Sequence, residues 1–370
     1  MASPWARPLS TWRNKLRSAW RAAQPIAPPA RIPIGHFPDF AMTARTPLDS
    51  FLGALAADAL AMPVHWYYDR LALRRDYGRV DHYLAPKNPH ADSILWRSSY
   101  TPLNERGEIL HDQAQYWGQR GVHYHQRLEA GENTLNLQLA VELYEQVRAR
   151  GGHDAEAWLA HYIEFMLTPG RHRDTYVEEY HRAFFTNYAR GKKPAKCGIA
   201  DVHIGGLAPV PALVAALGAD SPNLRDIVRT HVGLTHSAPE VLDAADAFTR
   251  MLVRVLHGEE LRGVIESEAN AWVSASKMAV WLLESDEQVV GARLSPACYI
   301  RDAFPAALYL AWKYARDFDG GLIANAHVGG DNCHRGVVVG ALLGAAQGVP
   351  PSWRQGLRLH GRLAGEPVAG

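Results

Sequence analysis

The chain has 370 residues, of which 47% are hydrophobic and 21% charged, with a formal net charge of +1. That is a globular composition, long enough for one large domain or two ordinary ones, and the small charge gives no general electrostatic case for nucleic acid or a membrane surface. Cys197, Cys298 and Cys333 lie far apart without a C-x-x-C pair, so neither a disulfide framework nor a structural zinc site is expected, and a reducing cytoplasm is the expected compartment.

The first 41 residues differ from the rest. Arg7, Arg13, Lys15, Arg17, Arg21 and Arg31 meet no acid before Asp39, Trp5, Trp12 and Trp20 are interleaved, and Pro25, Pro28, Pro29 and Pro33 break any helix. Such an arginine-rich, acid-free arm resembles a transit peptide or a basic amphipathic helix, but a disordered tail or a true start at Met42 is the expectation. No function is assigned to it.

From Thr46 the pattern becomes helical. Thr46 and Asp49 form a capping-box pair, Pro47 suits the first helical position, and Leu48, Phe51, Leu52, Leu55 and Ala59 supply an apolar face until Pro63. Residues 66–120 have little periodicity and read as long loops with short helices, which in a compact chain are often functional. Asn133 or Thr134 can then cap a helix through Leu137, Ala140, Leu143 and Val147. Helices follow from Asp154, along Trp158, Tyr162, Ile163 and Met166, then along Tyr176, Tyr180, Ala183, Phe184 and Asn187. A glycine-rich turn at His203–Leu213 precedes another, Ser237 and Glu240 propose a capping box for a helix through Leu252, and further helices are predicted near 261–283 and 303–316.

The last block, Asn325 to Gly348, organises the chain. Gly329 and Gly330 allow a tight turn, Asp331 can cap the helix that follows, and Gly336, Gly340 and Gly344 stud its apolar run. Glycines inside a helix cost roughly 1 kcal/mol each relative to alanine, so they predict close approach by another helix. No apolar run approaches the roughly 20 residues that a bilayer requires. Strand signals are scarce, so the predicted fold is all-α: one large helical domain over 46–360.

Four blocks in order, 53–65, 131–136, 205–236 and 329–348, resemble the ADP-ribosylglycohydrolase superfamily, which includes the dinitrogenase reductase-activating glycohydrolases and the J-type lens crystallins. The helix D-S-F-L-G-A-L-A-A-D-A-L-A-M-P-V-H resembles the superfamily's first helix, with Asp58 at the family aspartate and His65 where a glutamate is common. Gly131, Glu132, Asn133 and Thr134 stand at the T-D-D-T metal motif, and Asp331, Cys333 and His334 at the G-G-D-x-D-[TS] motif, so Cys333 replaces an aspartate and His334 a hydroxyl residue. The resemblance implies an all-α fold, cleavage of an ADP-ribosyl or related N- or O-glycosidic bond, and two magnesium ions. The residues carried over are Glu132, Asn133, Thr134 and Asp331 as metal ligands, Asp58, His65, Gly205, Gly206, His236, Gly329 and Gly330 as substrate-binding residues, and Glu132, Asp331, His334 and Cys333 as catalytic residues.

The replaced ligands leave alternatives open. Glu132, Asn133, Thr134 and Asp331 suit one magnesium ion better than two. Cys333 and His334 with His65 and Asp331 suit a softer transition metal, with Glu132 as general base. A metal-free route would use Glu132 or Asp331 to stabilise the sugar cation, with His125, His334 or His65 as acid, or Cys333 as nucleophile. A non-catalytic ADP-ribose-binding or crystallin-like chain is the remaining reading. The expected partner is a small-molecule or ADP-ribosylated substrate, with no nucleic acid and no membrane.

Overall fold

The computed structural model describes residues 45–364, and the 1–41 arm and Met42 lie outside the described residues. The chain opens with α1, Pro47–Ala61, where the Thr46–Asp49 capping box forms and Pro47 takes the first turn. A short 3-10 turn, Met62–Val64, then delivers His65. In the loop-rich stretch that follows, α2, Arg70–Tyr77, is capped by Asp69, whose side chain accepts from the amides of Leu71 and Ala72. Next come α3, Leu135–Arg150, ended by left-handed Gly151, and α4, Ala155–Leu167, capped by Asp154. They are followed by α5, Glu179–Ala189, α6, Pro209–Leu217, and α7, Leu224–Gly233.

The second half holds α8, Pro239–Leu256, α9, Leu261–Glu268, α10, Ala275–Trp281, and α11, Ile300–Lys313. It closes with α12, Phe318–His327, α13, Asn332–Gln347, α14, Pro351–Gly356, and α15, His360–Ala364. Among the described residues there is no strand, only isolated bridges such as His203 to Tyr299, so the all-α expectation is met.

Several predicted boundaries move. The second amphipathic helix starts at Glu179 rather than Tyr176, which leaves Glu178 extended at its cap. Ala238, not Ser237, caps α8, and Glu240 pairs instead with Arg301. The expected 261–283 helix is two, because residues 269–271 tighten into a 3-10 turn and Ser274 caps a fresh start.

The core is organised on α1 against α13. A Cβ built on Gly53 would lie 2.1 Å from the Gly340 carbonyl oxygen, and one on Gly344 would lie 2.2 Å from that of Asp49. The predicted close approach is therefore real, backbone against backbone. The stretch Pro47–Val64 is long and apolar enough to cross a membrane by composition, but 89% of it is buried within the fold.

The turn into α13 is fixed from both sides. Gly329 and Gly330 sit at φ +69° and +66°, where a side chain would strike the carbonyls of Tyr67 and Pro296. Gly330 N–H donates to Tyr67 O at 2.7 Å, Trp66 N–H to Gly330 O at 2.8 Å and Asp331 N–H to Pro296 O at 2.8 Å. Beneath the turn the fully buried Arg335 donates to the Asn325 side chain and to the carbonyls of Asn325 and Gly329. These contacts hold Asp331 and His65 side by side.

Candidate functional site

At the junction of α1 and α13, three side chains share one centre. His65, Asp331 and His334 are 0%, 1% and 2% exposed, and their nitrogen and oxygen ligand atoms all lie within 4.8 Å of one another. His65 Nε2 is 3.0 Å and His334 Nδ1 2.8 Å from the same carboxylate oxygen, Asp331 Oδ1. The other oxygen, Asp331 Oδ2, is buried with no hydrogen-bond partner, an omission that ordinarily costs free energy.

The far sides of both rings are held too. His65 Nδ1 is 2.7 Å from His125 Nε2, and His125 Nδ1 is 2.7 Å from Asp174 Oδ1. Asp174 Oδ2 accepts the Leu135 amide at 2.9 Å, anchoring the relay on the N-terminus of α3. His334 Nε2 lies 2.6 Å from the Asn136 amide and 3.4 Å from Glu178 Oε1. Asn136 in turn contacts Tyr180 and His181.

Charges follow from this geometry. Burial drives His65 down to about 3, against the pull of Asp331, so its ring is neutral. Burial also opposes a charged His334, yet the Asp331 and Glu178 carboxyls hold it up, at about 10. Burial would raise Asp331, but His334 and His65 keep it well below the usual carboxylate range. Glu178 goes the other way, raised chiefly by burial and opposed by His334. Two carboxyls on opposite nitrogens of one imidazole are thus pushed apart.

Glu178 is the most accessible member, with 13% of its side chain exposed. Aromatic residues stand beside the centre. Trp66 stacks on His65 at 4.0 Å and meets Tyr176 edge-on at 4.9 Å. Tyr68 is half exposed, and its phenol is pushed up by burial and then by the Asp331 charge. Behind His334, Asn136, Tyr180, His181, Gly205, Gly206 and His236 line a cavity of about 40 Å³, room for a water.

The predicted site residues divide between the centre and its surroundings. Asp331, His334 and His65 converge. Asp58 is fully buried and accepts from Thr134 N and Asn133 Nδ2 at 2.9 Å and from Thr134 Oγ1 at 2.8 Å, so it fastens α1 to the start of α3. Glu132 faces the other way, accepting from Arg173 and from the Glu129 amide at 2.5 and 2.6 Å. Cys333 is fully buried among Ala61, Met62 and Leu128, and burial pushes its thiol well up, the reverse of what a nucleophile needs. Gly205, Gly206 and His236 line the rear cavity, and Gly329 and Gly330 are buried in the turn; all five shape the centre from behind rather than face solvent.

Magnesium asks for oxygen ligands in near-octahedral order. Here Glu132 is turned away to Arg173, the Thr134 hydroxyl donates to Asp58, Asn133 offers one unpartnered amide oxygen, and two of the three side chains at the centre are imidazoles. The donors present do not fit a dimagnesium centre. Two members of the array were not singled out from sequence, Asp174 and Glu178. Their only signal was acidity, in R-D-T and V-E-E-Y just ahead of α5.

Comparison with known proteins agrees with this architecture. The family described as ADP-ribosylglycohydrolase matches residues 46–368. A solved chain titled "ADP-ribosylglycohydrolase-related protein complex" is similar at a TM-score of 0.55 and 19% identity, over 86% of this chain and 95% of that one, which speaks to the fold. A search of the curated proteins finds no match.

Proposed function

We propose, for a chain that belongs to the ADP-ribosylglycohydrolase family, that it hydrolyses an ADP-ribosyl or related N- or O-glycosidic bond. The observation that supports this most is the convergence of Glu178 and Asp331 on the two nitrogens of His334, with Trp66 stacked on the neighbouring His65. Glycoside cleavage needs a proton for the leaving group and a fixed negative charge beside the sugar cation. Glu178, the least buried carboxyl of the array, gives its proton to the leaving atom as the C1 bond breaks. Asp331 stays ionised and opposes the positive charge developing at C1. The water that adds to C1 returns a proton to Glu178, which restores the starting state. Trp66, Tyr68 and Tyr176 offer faces against which a base or sugar packs.

The test is release of ADP-ribose from ADP-ribosyl-arginine, ADP-ribosyl-serine and ADP-ribosylated nucleotides, with magnesium, manganese and zinc each supplied. At least one substrate is expected to turn over, and Glu178→Gln should lower that rate 100-fold or more while the melting temperature holds. No product from any of them, with the chain folded, refutes the proposal. The internal use of Asp58, Asn133 and Thr134 favours a second reading, a chain that binds ADP-ribose without cleaving it. Binding without turnover would establish that one.

A further inference from the structure

We infer that His65, Asp331 and His334 form a mononuclear site for a borderline divalent transition ion of the zinc, iron or cobalt class, distinct in donors from a magnesium centre. The inference concerns the same side chains as the proposed hydrolase site and does not depend on its activity; with an ion bound, Asp331 becomes a ligand rather than the free counter-charge to the sugar.

The first argument is spacing. Neighbouring ligands on an ion with bonds of about 2.1 Å lie about 3.0 Å apart at a right angle and about 3.4 Å apart in a tetrahedron. The two nitrogens already stand 3.0 and 2.8 Å from Asp331 Oδ1. Two imidazoles and one carboxylate are the donor set that such ions prefer, and three protein ligands leave positions open. Asp331 Oδ2, buried without a partner, is a further oxygen at the same place.

The second argument counts hydrogens. The series Asp174, His125, His65, Asp331 has three contacts, each needing one hydrogen. Two neutral imidazoles carry only two. Without an ion, the series therefore holds a surplus proton in a buried place. With an ion on His65 Nε2, the third contact becomes a metal bond and the count closes. His65 Nδ1–H then donates to His125 Nε2, and His125 Nδ1–H donates to Asp174, with both rings neutral and both carboxylates ionised. His334 closes in the same way. Its Nδ1 binds the ion, and its Nε2–H faces the Asn136 amide, whose oxygen and nitrogen can exchange places because Tyr180 and His181 serve either orientation.

The third argument is support. Metal-bound histidines usually have the second nitrogen hydrogen-bonded, which fixes the tautomer and ring angle. Both rings here meet that condition, and His65 does so through a histidine backed by a carboxylate. Cys333, next to Asp331 in sequence, takes no part, since its thiol points to the Asp58 carbonyl.

The experiment is titration of the untagged, chelator-treated full chain with Co²⁺, reading visible d–d absorption and bound metal per chain. One equivalent should bind, Zn²⁺ should displace it, and millimolar Mg²⁺ should not. His334→Ala and His65→Ala should each abolish the band, and Asp174→Asn should weaken affinity 10- to 100-fold, whereas Cys333→Ser should leave it unchanged. Far-UV circular dichroism checks that each variant is folded. If a variant unfolds, His65→Gln serves in its place. No band and no bound metal in the folded wild-type chain overturn the inference, as does a band that survives in folded His65→Ala and His334→Ala. Because the readout needs no substrate, an inactive chain that binds Co²⁺ at this site would refute only the hydrolase reading.

Discussion

Gly340→Ala tests whether helix packing sets the geometry of the centre. The added methyl would lie 2.1 Å from the Gly53 carbonyl oxygen and 2.7 Å from Ala57 Cβ. Neither obstacle is a flexible side-chain end, so α1 and α13 must separate by roughly 1 Å to restore ordinary contact. Overpacking of this kind costs about 1–3 kcal/mol, and the rigid obstacles favour the upper part of that range. Alanine's better helix propensity returns about 1 kcal/mol. The net expectation is a loss of about 2 kcal/mol, read by urea denaturation followed by circular dichroism. Gly361→Ala, where nothing lies within 4 Å, is the control and should be neutral or slightly stabilising. Gly340→Ala with stability within about 0.5 kcal/mol of the wild type would refute the claim that the two backbones are in contact.

Acid stability should depend on Glu142, whose carboxyl is lowered from 4.5 to about 2; burial opposes the shift, and His161 and Arg362 produce it. Its folded value lies below its unfolded one, so its contribution is present above about pH 4.5 and is lost as pH falls toward 2. Glu142→Gln should remove on the order of 2 kcal/mol at pH 7 and flatten the acid limb; an unchanged limb in chemical denaturation from pH 6 to pH 3 would count against the ion pairs. Alkylation by iodoacetamide should mark Cys298 first, since Cys197 and Cys333 are buried. Peptide mapping that finds Cys333 labelled at the native rate would show that its pocket is open.

Much of the scaffold was legible in the sequence, because the signals were local. The Thr46–Asp49 box, the Asp331 cap and the glycines of α13 each report a contact a few residues away or one helix deep. The centre was half legible. His65 and Asp331 lie 266 positions apart and were joined only by the resemblance to a known motif, not by any spacing within the chain. Glu132 was misplaced because it closes a turn, its amide donating to the Glu129 carbonyl at 3.0 Å while its carboxylate folds back onto the Glu129 amide. Asn133 turns inward to Asp58, which sends Glu132 out to Arg173. Asp174 and Glu178 stayed hidden because an acid in an irregular segment before a helix reads as a surface residue until something buried is seen to need it.

The way the oxygen ligands are used explains why the centre takes the form it does. Asp58 spends both carboxylate oxygens on Thr134 and Asn133, holding α1 to the N-terminus of α3, where its charge also suits the helix dipole. Asp174 does the same for the next amide, at Leu135, and spends its other oxygen on His125. These two carboxylates hold the scaffold, so removing Asp58 should disturb the α1–α3 junction, whereas Asp174→Asn should chiefly loosen the orientation of the His125 and His65 rings. Asp331 Oδ2 is different: it is a buried carboxylate oxygen with no partner at all. Neutral imidazole at position 65 would be a poor electrostatic substitute for a second carboxylate around a hard ion. Backed by His125 and Asp174, however, it becomes a well-oriented nitrogen donor. His65 and His334 therefore make chemical sense as a pair, because either histidine alone beside Asp331 would offer an ion only two donors.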